Sequence, residues 1–324
     1  MLEIVPVIDP LQVEEFRGEL LGYCYRFFGC YPEAEDAVQE TMLRAWNRGD
    51  GFAGQSSVRT WLYRIATNIC LDMKRAPQRR ALPMDMCGPG VVPDDLAGLT
   101  TREAECWVGP VADDRLRVGA DPAEIAVHRE SLRLAFVTAL QLLPPRQRVV
   151  LILRDVLAWS AAECAELLAM SVASVNSALA RARRTLADHD PADRRAIDDA
   201  SERALFEAYV AAFEAYDVDR LVKLLAEDAV FSMPPYALWL RGATDVEAWW
   251  RGPGQVCRGS RVLPTRANGG PAAAVYHPVG HQRWEPFALH VVDVRDGRIA
   301  GLTHFMGPAV FAELGLPSEL VATG

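Results

Sequence analysis

Apolar positions along this chain recur in two rhythms, and the changes of rhythm mark its joints. Phe16, Leu20, Tyr23 and Phe27 follow one another at spacings of three and four, which puts them on one face of a helix. After the turn Gly29-Cys30-Tyr31-Pro32, the positions Ala37, Val38, Thr41, Met42 and Ala45 interleave with Glu33, Glu35, Asp36 and Glu40. A second helix over 34–46 is predicted, with acids at its start where the macrodipole favours them. A third follows over Val58–Arg75, with Trp61, Leu62, Ile65, Ile69 and Leu71 inward and Arg59, Arg64, Asn68, Asp72, Lys74 and Arg75 as its polar positions.

The helical rhythm resumes with Leu132, Ala135, Phe136, Ala139, Leu140 and Leu143, and stops at Pro144-Pro145. It continues through Arg146–Val156, Ser160–Leu168 and Ser171–Ala187. Ser160 and Glu163 form the S-x-x-E pattern of a capping box, which marks a helix start. Ala169 and Met170 alone separate the last two helices, and the second ends in arginines, a helix-turn-helix pattern. A third helical stretch carries Leu205, Tyr209, Ala212, Phe213 and Tyr216, then Leu221, Leu224 and Leu225. From Ala229 the period shortens to two. Phe287, Leu289 and Val291 alternate with Ala288, His290 and Val292 up to Asp296-Gly297, a hairpin signal, and Ile299–Phe305 is the return strand.

Prolines 77, 83, 89, 93, 110 and 122, with glycines among them, keep any long helix from crossing 77–122. A shorter polar break runs Asp188–Arg195. The expected division is a helical bundle over 1–78, a Pro/Gly-rich linker over 79–121, a helix-turn-helix domain over 122–190 and an α+β domain over 200–324. The fold class is therefore multidomain, two all-α domains followed by an α+β domain.

Composition narrows the partners. At 324 residues, 50% apolar and 24% charged, the chain is globular rather than disordered. A net charge of −9 excludes a protein that coats nucleic acid indiscriminately. The segment 122–190 is the exception to the acidity, and it holds Arg181, Arg183 and Arg184. Any nucleic-acid contact should be narrow and oriented. The seven cysteines include no C-x-x-C pair, so neither a zinc ribbon nor a disulfide framework is expected. His277 and His281 are separated by Pro278 and Gly280, which break any helix that would align them on a metal. The first ten residues lack a basic stretch and a long apolar run, and no run reaches the ~18–20 apolar residues of a membrane span. A cytoplasmic protein without cofactor or membrane contact is expected.

Two blocks resemble the sigma-70 family, in particular the extracytoplasmic-function group that keeps only regions 2 and 4. Glu33-Ala34-Glu35-Asp36-Ala37-Val38-Gln39-Glu40-Thr41 with Ala45-Trp46 is similar to region 2.2. Ser57-Val58-Arg59-Thr60-Trp61-Leu62-Tyr63-Arg64-Ile65-Ala66-Thr67-Asn68 is similar to regions 2.3 and 2.4. Leu143-Pro144-Pro145-Arg146-Gln147-Arg148 and Val172–Arg183 are similar to region 4. The resemblance implies a sigma factor, a non-enzymatic subunit that binds core RNA polymerase and promoter DNA. Asp36, Gln39 and Glu40 would dock on the β′ coiled coil, or else form a solvated acidic face. Trp61, Arg64 and Asn68, with Lys74 and Arg75, would melt and read the −10 element. Trp61 serves base stacking and core packing equally well. Ser174, Asn176 and Ser177 suit base edges or phosphates in the −35 element, and Arg181, Arg183 and Arg184 suit phosphates, the alternative being a solvated helix end. Region 4 would also meet the β flap.

The third block resembles the SnoaL-like, nuclear-transport-factor-like cone fold. The stretch Met233-Pro234-Pro235-Tyr236-Ala237-Leu238-Trp239-Leu240-Arg241-Gly242 is similar to one in sigma factors that carry such an extension. Some cone-fold members are isomerases or hydrolases with Asp or His at the cavity wall. Asp293, His290 and His304 are the candidates here, with Tyr209, Trp239 and Trp249 as lining. A regular strand puts His290 and Asp293 on opposite faces, so no dyad is read. A regulatory domain, with a small-molecule ligand in its cavity, is the expectation. The alternative is a DNA-binding module fused to an active isomerase or hydrolase.

Overall fold

The computed structural model describes residues 13–47, 56–73, 80–103, 106–116, 122–187 and 199–322. It divides into two compact units, a helical one (1–80 with 114–190) and an α+β one (81–113 with 191–324).

In the helical unit, α1 (Arg17–Phe28), α2 (Tyr31–Asn47) and α3 (Val58–Met73) bury Leu20, Tyr23, Phe27, Ala34, Val38, Leu62, Tyr63 and Ile69 against one another. Gly29, in the left-handed region at φ 70°, ends α1 by returning its N–H to the Tyr25 carbonyl at 2.7 Å. On α3 the buried set is Leu62, Tyr63, Ala66, Thr67, Ile69 and Cys70, while Trp61, Ile65 and Leu71, expected inward, are half-buried. Polar atoms take part in this core, since the Tyr23 hydroxyl meets the Thr67 hydroxyl at 2.8 Å and the Tyr63 hydroxyl donates to Glu19 at 2.9 Å.

The rest of this unit is α4 (Pro122–Glu130), α5 (Leu134–Leu140), α6 (Pro145–Leu151), a π turn (Ile152–Val156), α7 (Ala161–Leu168) and α8 (Val172–Ala187). Of the apolar stripe expected on Leu132, Ala135, Phe136, Ala139, Leu140 and Leu143, the three leucines are buried. Ala135, Phe136 and Ala139 are only half-buried and Leu134 and Val137 take their place, because a turn through Ser131–Arg133 restarts the helical phase at Leu134. Two buried arginines fasten the pieces. Arg26, 1% exposed, reaches the Ser131 hydroxyl at 3.0 Å and His128 Nδ1 at 3.1 Å. Arg148, 3% exposed, donates to the carbonyls of Phe27, Gln141 and Leu143 and to the Gln141 side chain.

The α+β unit packs α9 (Asp199–Glu214), α10 (Val218–Leu224) and α11 (Ala243–Arg251) with a sheet of β1 (Leu225–Ser232), β2 (Trp239–Arg241), β3 (Arg261–Ala267), β4 (Gly270–Gly280), β5 (Arg283–Arg295) and β6 (Arg298–Met306). Strand order is β2-β1-β6-β5-β4-β3, with β1 and β6 parallel and the other neighbours antiparallel; a short β7 (Leu320–Val321) pairs with β5. Asp296 and Gly297 both take positive φ, 51° and 74°, as a two-residue β5–β6 hairpin of the primed kind requires. The core holds Phe206, Tyr209, Phe213, Leu221, Phe231, Trp249, Trp250, Val292 and Leu302.

Residues 81–113 belong to this unit, and their backbone groups find partners on it. The Gly90 N–H donates to the Trp239 carbonyl at 2.8 Å and the Trp239 indole returns a bond to the Cys87 carbonyl at 2.9 Å. Ala237 N–H reaches Thr100 O at 2.9 Å and Arg102 N–H reaches Pro235 O at 3.0 Å. At the β3–β4 turn, Asn268 exchanges bonds with Val111 at 3.0 and 3.2 Å and Gly269 N–H meets Asp113 at 2.8 Å. Val92 and Leu99 pack against the core. A segment with little regular structure of its own thus satisfies several of its donors and acceptors on Met233–Gly242 and the β3–β4 turn, and others within itself.

Candidate functional site

The capping box at the start of α7 is formed in both directions, Glu163 N–H on Ser160 Oγ at 3.2 Å and Ser160 N–H on the Glu163 carboxylate at 2.7 Å. Those bonds hold the Glu163 carboxyl below its usual range. At the far end, Ala169 sits at φ 50°, ψ 48°, and Met170 N–H closes on Ala165 O at 2.9 Å. Alanine therefore occupies the left-handed position itself, an arrangement costing about 1 kcal/mol relative to glycine. Ser171 caps α8 by accepting Ser174 N–H at 3.1 Å.

Helix α8 buries Val175, Ala178, Leu179 and Ala182 and exposes Ser174, Asn176, Ser177, Arg181, Arg183 and Arg184. The arginines differ in what they touch. Arg183 is gripped by both Asp155 oxygens, at 2.9 and 2.7 Å, a pairing that raises its already high pKa. Its guanidinium is thus turned toward the π turn of its own unit. Arg181 donates to Ser177 Oγ at 2.6 Å. Arg184 has no hydrogen bond or ion pair among the described residues, and its charge is open to an outside anion.

On α3, Arg64 and Asn68 stand one turn apart, half-buried and exposed respectively, with Trp61 half-buried a turn earlier. Arg64 donates to Glu166 of α7 at 2.9 Å. A cavity of about 540 Å3 opens between these elements, lined by Arg64, Asn68, Leu71, Arg146, Glu166 and Ala169 among others. Lys74 and Arg75 lie outside the described residues.

On α2, Asp36 and Gln39 are exposed, while Glu40 is half-buried and bonded to Arg44 at 2.6 Å. Leu43 and Trp46, 56% and 76% exposed, continue the stripe 36–39–43–46 along one helix edge. Sequence reasoning did not single out this apolar end. Its signal is the 3-4-3 spacing that carries a polar stripe into two large hydrophobic residues.

In the α+β unit the β5–β6 register sets His290 opposite His304. Their rings stack at 3.4 Å and 5°. Tyr209 hydroxyl meets His290 Nδ1 at 2.8 Å, Phe213 and Phe231 close the rings in edge-on, and both Nε2 atoms are buried without a partner. Burial lowers both imidazoles, His304 to about 3 and His290 further below its ordinary value, the latter also through the neighbouring ring. Trp249 packs on Phe231 at 5.6 Å, whereas Trp239 faces residues 87–90. Asp293 pairs with Gly301 across the sheet and is half-buried. Among the described residues no group of three or more His, Cys, Asp or Glu side chains could hold a metal, and no helix is long and apolar enough to cross a membrane.

A helix-turn-helix with an exposed polar second helix, in one unit with a bundle that carries an acidic helix edge, is the architecture of a DNA-binding protein. The chain matches the family models for sigma-70 region 2 over 12–80, sigma-70 region 4 over 133–186 and a SnoaL-like domain over 206–302. It is 45% identical over 319 residues to the ECF RNA polymerase sigma factor SigG of Mycobacterium tuberculosis, covering 95% of this chain and 83% of that protein. It is 27% identical to SigJ of the same organism over 93% of both chains. The crystal structure of SigJ superposes with a TM-score of 0.62 at 25% identity, covering 95% of this chain and 100% of that one. The chain belongs to the extracytoplasmic-function RNA polymerase sigma factors. Its regions 2 and 4 serve promoter recognition at the start of transcription, and the reading as a DNA-binding module fused to an active isomerase or hydrolase is not favoured.

Proposed function

We propose that the α+β domain regulates this sigma factor by holding the connector between its two DNA-reading regions, and that it does so without catalysis. The observation that carries this reading is the run of hydrogen bonds fastening 87–113 to Met233–Gly242 and the β3–β4 turn. The −10 and −35 elements lie roughly 85 Å apart along B-DNA. Regions 2 and 4 here are joined by the buried Arg148 on the Phe27 carbonyl, by Tyr63 against Trp159 and by the exposed Arg64–Glu166 pair, so serving both elements requires these contacts to part. A freed connector spanning 81–113 reaches up to about 110 Å, enough to serve both elements; a connector fastened along its length does not have that reach. The stacked imidazoles support a non-catalytic role, since neither ring is oriented by a carboxylate as a general base would be. Their Nε2 atoms are the groups an uncharged small ligand would engage.

Gly90 supplies the test. Gly90→Pro removes the N–H given to the Trp239 carbonyl and Trp239→Phe removes the indole bond to the Cys87 carbonyl, so the pair loosens the connector with no substitution in regions 2 and 4. With core polymerase, this variant should raise run-off transcription several-fold, and output equal to the parent's would refute the regulatory reading.

Polymerase docking is assigned to the α2 edge, where Asp36, Gln39 and Glu40 face the β′ coiled coil and Leu43 and Trp46 supply its apolar centre. Region 4 meets the β flap. Trp61, Arg64 and Asn68 read the −10 element and the exposed face of α8 reads the −35 element, with Arg184 on phosphate. An exposed tryptophan inside an interface is a typical hot spot worth about 2 kcal/mol or more. Trp46→Ala should therefore weaken assembly with core polymerase about 30-fold in a binding titration, with the Tm unchanged. Equal affinity would remove Trp46 from the interface.

A further inference from the structure

Most polar groups on the exposed face of α8 are already committed to the fold. Ser171 and Ser174 share a hydroxyl–hydroxyl bond at 2.8 Å while Ser171 caps the helix. The Ser177 hydroxyl receives Arg181 at 2.6 Å, and Asp155 holds Arg183. Val172 and Ala180, at i−4 and i+4 from Asn176, are exposed and carry no polar group. Asn176 is left. It is exposed, and among the described residues its carboxamide makes no hydrogen bond, so one acceptor and two donors project from the second turn of the helix.

We propose that Asn176 specifies one base of the −35 element and that this base is adenine. In the major groove an asparagine carboxamide matches adenine in both directions, its oxygen accepting from N6–H and its nitrogen donating to N7; no other base edge offers that donor–acceptor pair in the same order. The short side chains Ala173, Ser177 and Ala180 let the helix approach closely enough for a side chain of this length to reach a base edge. Ser174 and Ser177, which equally suited base edges from composition alone, are left to position the helix and its arginine. The assignment rests on α8 reading the −35 element, as the matched region 4 implies.

The test is transcription by core polymerase with the full-length protein on a promoter library randomised over both elements, with the transcripts sequenced. The parent should show one −35 position at which adenine is favoured roughly 5- to 150-fold over other bases. Asn176→Ala should flatten that position and leave the remaining preferences in place. Asn176→Arg should move the preference at the same position to guanine, whose O6 and N7 suit a guanidinium fork. Because the residue is exposed, both variants should keep the parent's Tm and its −10 preferences. An adenine preference unchanged in both variants overturns the assignment to Asn176 alone. A −35 element without base preference for any of the three proteins overturns the assignment together with the reading of α8 as the −35 reader.

Discussion

Replacing Arg148 by methionine is expected to destabilise the helical unit by about 3–5 kcal/mol, seen as a lower denaturant midpoint without loss of the α+β unit. Arg148 is the centre of a buried polar network. Its guanidinium meets the last-turn carbonyl of Phe27 in α1, the Gln141 side chain at 2.7 Å, and the carbonyls of Gln141 and Leu143 at 3.2 and 3.1 Å. Those carbonyls belong to a helix end and to the segment before Pro144, where no N–H from regular structure is available. The guanidinium also lies over the Phe27 ring, 5.3 Å from its centroid. Methionine keeps the apolar stem but leaves buried acceptors unmatched, and each unmatched acceptor costs about 1–3 kcal/mol. Breaking such a network from one side is among the larger single-residue losses known. Arg148→Lys should recover only part, because one ammonium cannot copy a planar fork with several donors. A midpoint within about 0.5 kcal/mol of the parent's would show that the network contributes little.

Acidification is expected to destabilise the α+β unit through His290 and His304. Both are neutral in the fold, His304 with a pKa of about 3 and His290 well below the ordinary value, because burial penalises the cation. The groups acting on them are the Tyr209 hydroxyl, the rings of Phe213 and Phe231, each other and, for His290, the His277 imidazole, none of them a carboxylate that could stabilise a charge. Unfolded, each imidazole titrates near 6.5. Between that pH and the folded values the unfolded chain binds more protons, so stability is complete above about 6.5 and falls as pH drops. The slope is about 1.4 kcal/mol per pH unit for each histidine. At pH 5 the two together remove about 4 kcal/mol. Hydrogen exchange of the β5 and β6 amides between pH 7 and 5 measures this, and His304→Leu should roughly halve the slope. A slope equal to the parent's in that variant would mean the acid sensitivity lies elsewhere. His128, lowered to about 4 by burial and by Arg26, adds loss of the same sign in the helical unit, which is why a strand-specific readout is needed.

Local order was legible in the residues. The rhythm of three and four places the last helix at 171–187, and the structure has Val172–Ala187 with Ser171 as its cap. The Ser160–Glu163 pattern and the Asp296-Gly297 turn appear where their chemistry put them. These features rest on contacts within four residues, so periodicity and side-chain type are enough to find them. The stripe over 132–143 holds at Leu132, Leu140 and Leu143 and fails at Ala135, Phe136 and Ala139, for the same reason in reverse. A three-residue turn resets the phase, and no residue in Ser131–Arg133 announces it.

The residue pattern alone identifies a sigma factor with regions 2 and 4 in order and an α+β domain behind them. That information lies in local motifs, and each motif folds against near neighbours. The three-dimensional fold adds which side chains are already bound to the protein itself. It showed Arg183 on Asp155, Trp239 on residues 87–90, His290 against His304 and the connector on the α+β domain. It also showed that Asn176, Leu43 and Trp46 remain outward. Those pairings join residues from 14 to 157 positions apart. Strand register and helix docking set such distances, and they follow from packing of the whole core rather than from the pattern of any one segment.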